Sequence, residues 1–228
     1  MNRWVSSLSA AVALAGLALV ACERKPSPFV PDVVPDSPPA KLPTSGKKCV
    51  VHLHGKGGSG APATVVGDVT HLRPAGNDVG WSGRQWVYFP AARLAEVRAI
   101  VVRATTDAAC GRVVVHGFSN GAAAAAKLYC RGESLGDTVV GYVIDDPVPD
   151  HGVEPCRPRA GTKLALYSTG ALSQAKDGWD CASADWTCEG GSAIGLPRYA
   201  AALKVAVRPS PSTKHEEHPS PPEERDWW

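Results

Sequence analysis

The 228-residue chain has almost no net charge, +2 at pH 7, and no stripe of lysine and arginine interleaved with aromatics. That balance argues against a nucleic-acid role, because such proteins carry a basic footprint for phosphates. The apolar run from Leu8 to Val20 is too short to cross a bilayer as a helix. No two cysteines have C-x-x-C spacing, which argues against a zinc–thiolate site. There is no Gly-Lys-Ser/Thr to close a phosphate-binding loop and no internal repeat. The residues imply no metal and no organic cofactor. Apolar residues make up 44% of the chain, enough for one domain with a real core.

The first residues read as a targeting segment. Arg3 supplies a positive start, Leu8 to Val20 an apolar stretch, and Leu19-Val20-Ala21-Cys22 its end. This ending resembles the lipobox of bacterial lipoproteins. The resemblance implies that residues 1–21 are removed, that Cys22 is lipidated, and that the lipid holds the protein at the cell envelope without a spanning helix. Glu23, rather than aspartate, follows the cysteine, which is compatible with the outer membrane in a Gram-negative source. Residues 22–45 are rich in proline (Pro26, Pro28, Pro31, Pro35, Pro38, Pro39, Pro43) and read as an extended tether. Export implies an oxidising compartment. Cys49, Cys110, Cys130, Cys156, Cys181 and Cys188 are then expected to form three disulfides. Cys181 with Cys188 is the simplest local pair, and sequence does not choose among the pairings.

Residues 46–228 read as the folded domain. Cys49 to Leu53 predicts a strand, followed by the glycine-rich loop His54-Gly55-Lys56-Gly57-Gly58-Ser59-Gly60. Strands are expected over Val65–Leu72 and Gln85–Phe89, and a helix over Ala92–Ala104, where Leu94, Val97, Val101 and Ala104 recur at helical spacing. Strands follow over Arg112–His116, Val139–Ile144, Lys163–Tyr167 and Lys204–Val207, with helices over Asn120 to about Cys130 and Leu196–Leu203. Alternating strands and helices predict an α/β fold, a mostly parallel sheet with helices on both faces.

The most informative stretch is Val113-Val114-Val115-His116-Gly117-Phe118-Ser119-Asn120-Gly121 followed by an alanine-rich run. Strand, Gly-x-Ser-x-Gly and helix together make a nucleophile elbow. The serine hydroxyl stands above the sheet, and the two glycines let strand and helix pass close by. With the HGKGGSG loop, this order of elements resembles the α/β-hydrolase fold. The resemblance spans roughly Lys47 to His218 and implies a serine hydrolase; the minimal lid or none expected here is a departure from many relatives.

In that fold the triad runs Ser, Asp/Glu, His along the chain. Ser119 is therefore the expected nucleophile. His215 and His218 follow the last strand, and either could be its base, with His215 preferred as the earlier. Asp177 and Asp180 lie in the loop expected to carry the acid, and Asp145, Asp146 and Asp150 are a reserve after an earlier strand. The oxyanion donors are expected to be the backbone amides of Asn120 and Lys56. No long insertion follows Val139–Ile144, so an open site for short-chain or bulky, including polymeric, esters is expected. Two other readings are a catalytically inactive hydrolase-fold binding protein and a dinucleotide-binding protein, since Gly55-x-Gly57-x-x-Gly60 also fits that fingerprint. The second needs a helix directly after the glycines, where this chain has Pro62.

Overall fold

The computed structural model describes residues 42–147, 153, 155–169, 196–215 and 219–228. The expected signal segment, Cys22 and most of the tether lie outside the described residues, as do Cys181 and Cys188. The domain is a seven-stranded sheet in the order β2-β3-β1-β6-β7-β8-β9. Its strands are β1 (Lys47–Leu53), β2 (Ala61–Val66), β3 (Val69–Arg73), β6 (Cys110–Phe118), β7 (Val139–Asp145), β8 (Lys163–Ser168) and β9 (Val207–Pro209). A separate hairpin comprises β4 (Asp78–Gly80) and β5 (Gly83–Gln85). Within the seven-stranded sheet only β2 runs antiparallel, on β3; the other pairings of that sheet are parallel. The sheet order, with its one antiparallel strand at the edge of an otherwise parallel sheet, is that of an α/β-hydrolase fold.

The residue choices follow from a sheet covered on both sides. Every residue of β7 is buried, as apolar, β-branched central strands of parallel sheets require. Helix α1 (Ala91–Asp107) buries Leu94, Val97, Val101 and Thr105 along one stripe. Helix α2 (Asn120–Cys130) is buried nearly all round, and its small Ala122–Ala126 side chains let it lie directly on the sheet. Helix α3 (Leu196–Leu203) adds Tyr199, Ala200 and Leu203 to the same core. The opposite face carries a smaller core of Val50, Val69, Val114, Val140 and Val143. Trp227, Trp228 and the one-turn helix α4 (Glu223–Asp226) close it.

Three expectations need correction. Val65–Leu72 is not one strand but the meeting of β2 and β3 across a turn at Gly67-Asp68. The chain after the glycine loop therefore enters strand β2 and not a helix, which removes the structural context a dinucleotide fingerprint needs. Gln85–Phe89 alternates buried Trp86 and Tyr88 with more exposed neighbours, yet beyond Gln85 it joins no ladder. Side chains take the ladder's place. Asn120 accepts from the Trp86 amide (2.7 Å) and donates to its carbonyl (3.1 Å). Asn77 does the same at Val87 (2.8 and 2.9 Å). The last strand lies later than expected, at Val207–Pro209, where it pairs with Leu166–Ser168.

Two disulfides join the described cysteines, Cys49–Cys110 and Cys130–Cys156. The first links the starts of β1 and β6. The second ties the end of α2 to the segment before β8.

Candidate active site

Strand β1 sits between β3 and β6, so the chain leaves its end in one direction and leaves β6 in the other. Such a switch point opens a crevice at the carboxyl edge of a parallel sheet. Ser119 occupies that edge. Its φ of 52° and ψ of −116° place a non-glycine residue in a strained conformation. Its amide is fixed to the Asp145 carbonyl at 3.0 Å. A Cβ on Gly121 would stand 2.0 Å from the Leu53 carbonyl oxygen, and one on Gly117 would stand 2.3 Å from that of Gly121. The elbow is therefore built by backbone packing that only glycine permits at both positions.

His215 follows β9 and reaches back across the edge. Its Nε2 lies 2.9 Å from Ser119 Oγ and its Nδ1 lies 2.7 Å from Asp146 Oδ2. The ring rests beside Phe118, with centroids 4.8 Å apart. Asp146 directly follows β7 and is almost wholly buried. Its carboxylate also accepts from the Thr169 amide (3.0 Å), the Thr169 hydroxyl (2.6 Å) and the Ser168 hydroxyl (3.2 Å). Burial alone would raise its pKa, but the hydrogen bonds from His215 and Thr169 outweigh burial and hold the carboxyl below its ordinary range. An ionised Asp146 keeps the proton on His215 Nδ1. Nε2 is then free to take one from Ser119.

The glycine-rich loop after β1 passes beside this serine. A Cβ on Gly55 would meet the Ser119 Cβ at 3.3 Å. The loop is held by His54, whose Nε2 accepts from the Gly76 amide (3.1 Å) and whose Nδ1 meets the Gly55 carbonyl (2.7 Å). Burial lowers the His54 pKa and outweighs the opposing hydrogen bond to the Gly55 carbonyl, so the neutral ring that the Gly76 amide needs at Nε2 is favoured. The amides of Gly57 and Gly58 are bonded to the Arg84 and Gly55 carbonyls. Lys56, the expected donor, lies between Gly55 and Gly57. The amide of Asn120 begins α2 directly after the serine, where a helix offers no internal acceptor.

Among the expected site residues, the fold brings Ser119 and His215 together and sets Asn120 and the Lys56 loop beside them. His218, Asp177, Asp180 and Asp150 lie outside the described residues. Among the described residues, the carboxylate at His215 is Asp146, from the reserve group. Thr169 escaped sequence reading entirely: a threonine after a strand carries no signal until the fold sets it against Asp146.

No family model matches this chain, and no curated protein matches it. Its sheet is similar to several solved structures. One is a protein of unknown function, Atu2452, from Agrobacterium tumefaciens (16% identity, 56% of this chain and 68% of that one, TM-score 0.41). Another is YahD, solved with malic acid (13% identity, 78% and 89%, TM-score 0.44). A third is a bacterial brefeldin A esterase (18% identity, 51% and 35%, TM-score 0.29).

Proposed function

We propose that this chain is a serine hydrolase that cleaves carboxylic esters through an acyl-serine intermediate. The observation that carries the reading is the continuous hydrogen-bonded line from Ser119 Oγ through His215 to Asp146, at 2.9 and 2.7 Å. A serine hydroxyl is too weakly acidic to attack unaided. In the proposed cycle His215 Nε2 takes its proton as Oγ attacks the ester carbonyl. The oxyanion is received by the Asn120 amide and by the loop around Lys56. His215 then returns the proton to the departing alcohol. Water, activated by the same ring, releases the acid and restores the serine.

A fluorophosphonate probe tests the reading. The wild-type chain is expected to label at Ser119, and Ser119→Ala is expected to lose both labelling and at least ~10³-fold of ester hydrolysis. Absence of labelling in both would leave a hydrolase fold used for binding. A panel of p-nitrophenyl esters would identify the acyl group, and a steep rise in activity with chain length would count against an open site.

Export and lipid anchoring at Cys22 belong to the same proposal. The Cys49–Cys110 and Cys130–Cys156 bridges support an oxidising compartment. Recovery in the membrane fraction, lost in Cys22→Ala, is the expected result; release of both forms as soluble protein would refute the anchor.

A further inference from the structure

On the sheet face opposite α1 and α2, three imidazoles and a buried carboxylate meet, away from the Ser119 line. His52 on β1, His71 on β3 and His116 on β6 all project from this face. Glu224 arrives from α4. His116 Nδ1 lies 2.5 Å from Glu224 Oε1, and its Nε2 lies 3.4 Å from Asp145 Oδ2. His52 Nδ1 is 3.6 Å from Glu224 Oε1, and its Nε2 is 2.8 Å from His71 Nδ1. The His52 and His71 rings stack with centroids 5.1 Å apart.

One feature of this cluster is unbalanced. Glu224 Oε2 is buried and has no hydrogen-bond partner. A buried carboxylate oxygen without a donor is costly. A ligand atom from each of His52, His71 and Glu224 falls within 4.8 Å of the others. Two imidazole nitrogens and one carboxylate oxygen are a donor set that zinc and its neighbours favour. Bonds of about 2.0–2.1 Å in tetrahedral geometry need ligand atoms roughly 3.3–3.5 Å apart. Separating the His52 and His71 nitrogens from 2.8 Å to that spacing takes only small ring rotations. His116 already grips Oε1 and so orients the carboxylate, as partners of ligating groups do in metal sites. His71 is only half-buried, which gives an ion a route in and water a fourth position.

We propose that His52, His71 and Glu224 bind a divalent transition-metal ion of the zinc type, which fastens the C-terminal segment to β1 and β3. Such an ion would give the Glu224 carboxylate, one oxygen of which lacks a partner, a counter-charge and would join residues that no short sequence motif connects. It runs against the expectation of no metal, which rested on cysteine spacing and took no account of histidines brought together by a parallel sheet. The role is structural and independent of the ester chemistry, because the site lies on the other face from the helices that pack behind Ser119.

The test uses the full chain, purified in detergent without a metal-affinity tag and stripped with chelator. Titration with Co²⁺ is expected to give visible d–d absorption of tetrahedral intensity, saturating at one equivalent and displaced by Zn²⁺. Zn²⁺ should also raise the melting temperature. His71→Ala and Glu224→Gln should each weaken binding about 100-fold or more and abolish the rise. His71 is partly exposed, so His71→Ala should keep the wild-type circular dichroism even if Glu224→Gln does not fold. Wild-type protein that gives no stoichiometric cobalt spectrum, or one that survives in a folded His71→Ala, overturns the proposal. Binding must also persist in Ser119→Ala; its loss there would place the ion at the catalytic edge and overturn it equally.

Discussion

Thr169 holds Asp146 with two hydrogen bonds at once, one from its amide at 3.0 Å and one from its hydroxyl at 2.6 Å. These bonds oppose the effect of burial and help keep the carboxyl ionised. Asp146→Asn should cost about 10⁴-fold in kcat, because an amide no longer fixes the proton on His215 Nδ1. Thr169→Val leaves the amide bond and removes the hydroxyl. It should lower kcat/KM by roughly 3–10-fold, the equivalent of one hydrogen bond of about 1 kcal/mol. Steady-state kinetics on a p-nitrophenyl ester checks both. An Asp146→Asn enzyme with wild-type kcat would remove Asp146 from the line.

The elbow makes a prediction about folding rather than chemistry. Adding one methyl at Gly121 puts a carbon 2.0 Å from the Leu53 carbonyl oxygen, so β1 and α2 must separate. Leu53 and Ala122 to Ala126 are all buried, and the strain falls on the centre of the core. Gly121→Ala should therefore destabilise the domain by several times the roughly 1 kcal/mol of a typical substitution, and urea unfolding measures it. A variant as stable as wild type would mean that the strand–helix contact is looser than the distance implies.

The elbow was legible because its geometry is local. Gly117, Ser119 and Gly121 act within one turn, and the flanking valines and alanines announce the strand and helix. His215 was legible because it follows the last strand. Asp146 was not singled out, because several carboxylates follow strands and only the fold decides which one faces His215. The segment at Trp86 misled for a related reason. Its alternation is that of a strand, but its hydrogen bonds go to the Asn77 and Asn120 side chains, and no local pattern encodes that. The His52–His71–Glu224 cluster was invisible because its members come from three elements scattered along the chain.

The two disulfides differ in the loop each closes, 61 residues for Cys49–Cys110 and 26 for Cys130–Cys156. Chain-entropy arguments assign about 4.3 kcal/mol to the longer loop and about 3.5 kcal/mol to the shorter. Replacing Cys49 and Cys110 by alanine should thus lower stability more than replacing Cys130 and Cys156. Denaturant melts of the two double variants give the order; the reverse order would show that residual structure in the unfolded chain outweighs loop length.

His54 links pH to the shape of the loop beside Ser119. Burial sets its pKa below the ordinary histidine value, so the folded protein binds fewer protons here than the unfolded chain. The resulting stability is complete above about pH 6.5, the ordinary value. It is lost progressively as pH falls from there through the lowered folded pKa. Protonation also removes the lone pair that accepts the Gly76 amide at 3.1 Å, freeing the loop from its anchor. His54→Gln offers an acceptor and a donor without titrating. Its stability relative to wild type should improve as pH is lowered from 7 to 5, while His54→Ala should be less stable than wild type at pH 7. Thermal melts across that range decide it, and parallel pH dependence in wild type and His54→Gln would show that His54 does not titrate there.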